Sequence, residues 1–497
     1  MLTAVCPQFR QAGLSSRGGE SGETWQTLPQ LFKNHGYVVL GHGKVFHPNK
    51  PPKDDEPHSW SPDQPYVPLT VFRCDGLSYC PGVGKDGRSD EAAFSDFNTT
   101  MSALHTLHMY SKRANAPFFI ALGLKFPHGS WATPRWTARL YEHLLPAPAH
   151  PHAPAGSPDI AFTAEKGGKV MLALNESNPI LATSAPTGIS GTTRHLCPSP
   201  QTNTVPQFFQ QQLRAGYYSA VTHTDWLFGK VLDKLDLLGL RASTLVVVNS
   251  DHGYQLGEHG EWGKHTNWEL AVQVPLLIRA PWLPASTGQR TGSYTELVDL
   301  YRTIAALAGL PDGAVAADVD GTDVSALLHQ PGIVLKNESY AQYPRCPGLR
   351  QWPHRSDCRS QGAPPGADWC LNNCEKVPAS NLTAMGYTVR VPGWRLTEWF
   401  RWNGDACVAR FDAPHLGLEL YAHDQPGFPL DFDAAENENL AEDVTYAAIV
   451  AELRKRLRQR FDTGAALGCP PPLSAAEAAL SPGDDGFQND DDLDDDL

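Results

Sequence analysis

The sequence predicts an α/β protein with a mostly parallel sheet and helices on both faces, plus a smaller C-terminal α+β subdomain built on an antiparallel sheet. Three observations carry that expectation. Buried-strand runs such as "FFIALGL", "STLVVVNSD" and "VPLLIRAP" alternate with segments of helical apolar spacing, the pattern of strands joined by crossover helices. After about residue 335 the pattern changes to short aromatic strands divided by turn residues. The 497 residues are too many for one small core and suit a large domain with a smaller partner. The expected division is 1–335 for the main domain, 336–465 for the subdomain and 466–497 for an acidic tail.

Each element has its own signals. "TLPQLFKNHG" reads as a short helix capped by Thr27, with Pro29 in the first turn and Gly36 closing it. "YVVLGHGK" is a strand running into a glycine turn, and "DEAAFSDFNTTMSALHTLHMYSKRA" has a helical pattern. The buried strand "FFIALGL" follows Pro117, and residues 143–206, rich in Pro, Ala, Ser and Thr, read as a long surface insertion. From Tyr217 the apolar positions 217, 220, 221, 228, 231, 235 and 238 recur at helical spacing until Gly239. "STLVVVNSD" and "VPLLIRAP" are the next strands, and "ELVDLYRTIAALAGLP" the next amphipathic helix. In the smaller part, "ESYAQYP", "MGYTVRVPGWRLTEWFRW" and "LGLELYAHD" form a meander, closed by the helix "TYAAIVAELRKRLRQRF".

Composition excludes several classes. The formal charge is −14, but the last seventeen residues hold eight Asp and no basic residue, so more than half of the excess sits in a tail expected to stay solvated and disordered. No basic domain points to nucleic acid. No apolar run approaches the roughly 18 residues that span a bilayer. The ten cysteines, at 6, 74, 80, 197, 346, 358, 370, 374, 407 and 469, lack zinc-ribbon spacing. The short loop from Cys74 to Cys80 and the cluster from 346 to 374 suit local disulfides. With four N-x-S/T sequons, at Asn98, Asn175, Asn337 and Asn381, they point to a secretory route. "MLTAVCPQFRQAGLSSRGG" has no apolar h-region of a signal peptide.

The densest chemistry lies in "NSDHGYQLGEHGEWGKHTNWE", residues 249–269. In an open α/β sheet, ligands sit beyond the carboxyl ends of strands, and Asp251 and His252 fall at such an end, after Val248. A carboxylate beside an imidazole can hold a divalent cation. As a lone pair they could equally be a helix-capping Asp and a His satisfied by backbone. Two further strand ends have the same form: "GHGKVFHP" delivers Lys44 and His47, and "LGLKFPHG" delivers Lys125 and His128. Three strand ends supplying Lys, His and Asp, with Lys264 returning as a fixed cation, suit a tetrahedral oxyanion whose charge is offset by metal and lysines.

These stretches resemble the sulfatases of the alkaline-phosphatase-like superfamily. The likeness runs in order through "TLPQLFKNHGYVVLGHGKVFHP", "FFIALGLKFPH", "YYSAVTHTDWLFGKVLDKLDLLGL", "VVVNSDHGYQLGEHGEWGKHTNWE", "VPLLIRAP", "ELVDLYRTIAALAGL", "AQYPR" and "MGYTVR". The resemblance implies a sulfuric ester hydrolase that removes sulfate from a sulfated saccharide of the glycosaminoglycan type, in the lysosome or outside the cell. It implies a formylglycine made from a cysteine in C-x-P-S-R and one Ca2+ ion. On this chain Cys6 and Arg10 match the nucleophile motif, and Asp251 and His252 match half of the calcium site. Lys44 and Lys264 match sulfate-binding lysines, Lys264 also lying near the leaving group. His47 matches the residue that takes a proton from the geminal diol, and His128 the one that binds sulfate and assists the leaving oxygen.

The chain departs from the family pattern at two places. The family's opening strand, ending in two adjacent aspartates that complete the metal site, has no counterpart; Asp54-Asp55 sits in the loop "NKPPKDDEP". In "CPQFRQAGLSSR", Cys6, Arg10, Leu14 and Arg17 fall in register, but Pro stands at 7, with Gln8 and Phe9 where Pro and Ser are expected. The modifying enzyme reads that Pro, which disfavours conversion of Cys6. A parallel sheet without a central strand would expose apolar edges. The expectation is therefore an N-terminally incomplete sulfatase. A non-catalytic descendant that binds sulfated glycans is the competing one. A phosphatase on the same scaffold would want a Ser or Thr nucleophile and more metal ligands.

Overall fold

The structure, a computed structural model, describes residues 26–46, 52–63, 66–69, 82, 91–112, 117–129, 131–143, 145–162, 207–317, 319–346, 374, 379–423 and 436–462. Cys6, Arg10, His47, Asn175, most of the insertion and the acidic tail lie outside them.

The first helix, α1 (Leu28–Asn34), starts as its sequence requires: the Thr27 hydroxyl accepts the Gln30 N–H at 3.2 Å and Pro29 occupies the first turn. It leads into β1 (Val38–Gly43), which pairs in parallel with β2 (Val67–Pro68) and with β3 (Phe118–Gly123). Between them α2 (Ser95–Ser111) crosses the sheet. The β1–β3 pairing runs from Val38 opposite Phe118 to Gly43 opposite Gly123, so both strands end level.

Helix α3 (Arg135–Arg139) packs on the long α4 (Gln207–Leu237), where Trp136 meets Trp226 edge-on at 5.6 Å. Helix α4 begins ten residues before the expected Tyr217. After it comes β4 (Val246–Asn249), then a small hairpin of β5 (Gln255–Leu256) and β6 (Trp262–Gly263), the short α5 (Glu269–Val272) and β7 (Leu276–Arg279). Strand β7 returns antiparallel to β4, the exception within a main sheet expected to be mostly parallel. The connection holds a hairpin and one turn of helix, with no crossover helix long enough to bring the chain back to the starting end. Helices α6 (Asp299–Leu307) and α7 (Ala326–His329) complete this part. Among the described residues β3 has only β1 beside it and β4 only β7. All six β3 residues and Val246, Val247 and Val248 are only half-buried.

A separate five-stranded antiparallel sheet holds β8 (Ser339–Arg345), β9 (Ala384–Val391), β10 (Trp394–Asn403), β11 (Val408–Ala409) and β12 (Gly417–Ala422). Pro392 and Gly393 turn β9 into β10, Gly393 adopting the left-handed φ of 81° that a Cβ would disfavour. One face of the sheet (Met385, Tyr387, Val389, Leu396, Phe400, Leu420) packs on Leu453, Leu457 and Phe461 of α8 (Ala447–Phe461). Cys346 and Cys374 form a disulfide beside this core.

The other face is also buried, which corrects the expectation that 143–206 is purely a surface insertion. Ile160, Ala161 and Phe162 sit in the interior against Trp399, Trp268 and Tyr421. Their apolar side chains fill the space, and Arg345 satisfies the backbone carbonyls of 160 and 161 at 3.0 Å each.

Candidate active site

Lys44 leaves the sheet directly after Gly43. The two strand ends approach so closely that a Cβ on Gly43 would fall 2.1 Å from the Gly123 carbonyl oxygen, and one on Gly123 2.1 Å from that of Lys44. The Lys44 N–H donates to the Gly123 oxygen at 2.7 Å, fixing where the lysine side chain starts. Two residues beyond β3, Lys125 is buried. Its turn is gripped by Asp96 in the first turn of α2, whose carboxylate accepts the Lys125 and Phe126 N–H groups at 2.8 Å each. Burial raises the Asp96 carboxyl against those bonds and the nearby Lys125 and Lys44.

His128 follows. Its Nδ1 lies 2.7 Å from the Gly129 carbonyl oxygen, so Nδ1 carries the proton and Nε2 the lone pair. Burial, with Lys44, Lys264 and Lys125 around it, holds the imidazole well below its ordinary value and hence neutral. Those three cations come from the ends of β1, β3 and β6. Lysines of three separate segments thus act electrostatically on one neutral histidine.

Asp251 and His252 stand where β4 ends. His252 Nδ1 contacts the Gly253 carbonyl at 2.7 Å, which leaves Nε2 as an acceptor 3.5 Å from Asp251 Oδ2. Asp251 is exposed at the surface; partial desolvation by its surroundings would raise its carboxyl, but His252 and Lys264 outweigh that and hold it below the usual range. His252 is lowered to about 4, by burial first and then by Lys264. An anionic oxygen and an unprotonated ring nitrogen at this separation fit two neighbouring ligands of one divalent cation. The pair offers two donors where Ca2+ takes six to eight, and imidazole does not by itself select calcium. Of the remaining sequence-derived residues, His47, Cys6 and Arg10 lie outside the described residues.

Among the described residues, Glu269, His423 and Glu436 also cluster closely enough to hold a metal. Their oxygens are already engaged: Arg395 Nε donates to Glu436 at 2.6 Å and Arg390 Nε to Glu269 at 3.2 Å. Two guanidiniums supply the positive charge there. Sequence reading passed over this network, and Asp96 and Arg345 with it. Asp96 carries a weak signal, an acid at a helix start; the buried arginines of alternating strands carry none.

The level ends of β1 and β3 with their lysines and the neutral His128, and the half-shell of metal donors after β4, are suited to esters of a tetrahedral oxyanion. The chain belongs to the sulfatase family: the family model described as Sulfatase matches residues 1–310. It is 28% identical to iduronate 2-sulfatase of Mus musculus over 487 residues, covering 86% of this chain and 79% of that protein. The Homo sapiens iduronate 2-sulfatase is likewise 28% identical, over 84% of this chain and 77% of that protein. Among solved structures, BT4656 in complex with its substrate D-glucosamine-2-N,6-O-disulfate superposes with a TM-score of 0.56 at 17% identity, covering 92% of this chain and 86% of that one. The phosphonate monoester hydrolase of Silicibacter pomeroyi superposes at 0.54 and 19% identity, over 93% and 84%. These neighbours share the alkaline-phosphatase-like fold.

Proposed function

We propose that this chain hydrolyses a sulfate ester on a sulfated sugar, of the glycosaminoglycan type suggested by its likeness to iduronate 2-sulfatase. The observation that carries the reading is the level pairing of the ends of β1 and β3, which deliver Lys44 and Lys125, together with the positive field of Lys44, Lys125 and Lys264 that lowers His128. A sulfate ester carries one negative charge that spreads over its oxygens as the S–O bond breaks, and fixed cations stabilise that charge without reorganising. Lys44 and Lys264 bind the sulfate, and Lys264 meets the leaving oxygen. His128 offers Nε2 as a neutral partner. Its low pKa comes partly from three cations, so a bound sulfate offsets them and moves the imidazole towards protonation as the leaving oxygen needs a proton.

Asp251 and His252 would hold a divalent cation, taken to be Ca2+ from the family resemblance, which when bound polarises a sulfate oxygen. Cys6, as formylglycine, and Arg10 would serve the nucleophile, with His47 taking its proton. The exposed sequon residues Asn98, Asn337 and Asn381 support a secretory route.

The test is sulfate release from a sulfated disaccharide by the purified chain with Ca2+, alongside calorimetric binding of the same sugar. Turnover that falls by roughly 10²–10³ in Lys264→Ala and in Asp251→Ala supports hydrolysis. Binding that is lost in Lys264→Ala, with no turnover in the unaltered chain, rejects hydrolysis in favour of a glycan-binding protein. The Pro7-Gln8-Phe9 departure is the sequence feature behind that second outcome.

A further inference from the structure

The segment that ends the site is held from one side. Of residues 265–269, four bond to the C-terminal sheet or to Glu436 beyond it. Arg345 Nη1 donates to the His265 carbonyl at 3.1 Å, and Arg395 Nη1 to that of Asn267 at 3.2 Å. Asn267 Nδ2 donates to the Gly386 carbonyl at 3.2 Å, and the Trp268 indole N–H to Glu419 at 3.0 Å. The Glu269 N–H donates to Glu436 Oε2 at 2.8 Å, while its carboxylate accepts from Arg390 and Arg395. His423 Nε2 closes the cluster 3.0 Å from Glu436 Oε1. All the charged members are buried.

Arg395 is the hub. It reaches Glu436, the Asn267 carbonyl and Glu269 at once through Nε, Nη1 and Nη2, three donors spread over one rigid plane, where a lysine would have to serve all three from a single nitrogen. Two carboxylates facing two guanidiniums leave the cluster without net charge, and burial lowers His423 towards its neutral form despite Glu436. A buried polar cluster of this kind contributes little net stability against an apolar one, but its bonds have direction and admit one register. Lys264 is the next residue upstream of the clamped stretch. The Gly253 N–H donates to the Ala271 carbonyl at 2.8 Å, tying the residue after His252 to the far side of the same clamp.

We infer that Arg395 is a positioning residue: through Glu269, Glu436 and the Asn267 carbonyl it fixes the segment that presents Lys264, Asp251 and His252. The C-terminal sheet thereby sets the geometry of an anion site whose candidate residues lie on other segments. The inference rests on the proposed function only for what that segment does once placed.

Hydrogen exchange by mass spectrometry on the full chain, well below its melting temperature, tests the placement in Arg395→Lys. Lysine keeps the charge and loses the three-way reach. The expected result is at least a tenfold loss of protection confined to residues 264–271, with β1, β3 and β10 unchanged, and a sulfated disaccharide bound at least fivefold more weakly. Unchanged exchange in 264–271 overturns the inference. So does a uniform loss across the molecule, which makes Arg395 a general stabiliser. If Arg395→Lys does not fold, Glu436→Gln removes one arm of the same hub and is read by the same criteria. If the unaltered chain binds no sulfated disaccharide, the functional reading falls, while the exchange pattern still decides the positioning role.

Discussion

Asp96 shows how one side chain can place another without touching its functional end. Its carboxylate satisfies two buried N–H groups in the turn that carries Lys125 and His128. Asp96→Ala leaves both donors unpaired at about 1–3 kcal/mol each. Urea unfolding should show a loss of about 2–5 kcal/mol; a change below about 1 kcal/mol would mean that water replaces the carboxylate. His128 and His252 follow a common rule. Each spends Nδ1 on the carbonyl of the next glycine, which fixes the tautomer and turns Nε2 to the site. The H-G dipeptides were visible in the sequence, but the tautomer depends on backbone geometry.

At the scale of elements, the paired ends of β1 and β3 decide where Lys44 and Lys125 emerge. Gly123→Ala would put a methyl group 2.1 Å from the Lys44 carbonyl oxygen, a backbone atom that cannot step aside. The strand ends must part, at a cost of about 1–3 kcal/mol. Melting should show the stability loss, and binding of a sulfated sugar should weaken because Lys44 moves; wild-type affinity with a lowered melting temperature would separate the strand ends from the site. The half-exposed apolar faces of β3 and β4 are a second consequence of element order. Each strand has one edge with no strand beside it among the described residues. Strands β9 and β10 go the other way, both of their faces being covered.

For the whole molecule, buried histidines set the response to acid. His42, His223 and His252 are lowered to about 4 and His128 well below its ordinary value, burial being the first cause in each. Their folded values lie below the unfolded value of about 6.5, so the unfolded chain binds more protons as pH falls. Stability is therefore fully present above about 6.5 and is lost as pH drops towards about 4, by up to about 1.4 kcal/mol per pH unit for each histidine. Glu436, held at about 2 by Arg395 and His423 against its burial, extends the loss below the usual glutamate range. Asp96 and Glu419, raised by burial, act in the opposite sense and are fewer. Melting temperature measured from pH 7.5 to 4.5 should fall monotonically; a flat or rising curve would contradict these burials. A bound divalent cation, which needs neutral His252 and ionised Asp251, would steepen the fall.

The alternation of strand and helix and the second antiparallel sheet could be read from local pattern alone, which also singled out Lys44, His128, Asp251, His252 and Lys264 as candidates for the site. These were legible because local rules govern them: apolar period, glycine turns, and charged residues at the carboxyl ends of strands. Other features depended on tertiary structure. It turned β7 antiparallel and drew residues 160–162 into the core. It levelled the strand ends that carry Lys44 and Lys125, and anchored the Lys264 segment to Arg395, more than 120 residues away in the chain. Each of these joins segments distant in sequence, and nothing local marks the sheet face that carries Arg390 and Arg395 as buried. Only packing brings a second layer over that face, and once covered, its charges must find one another.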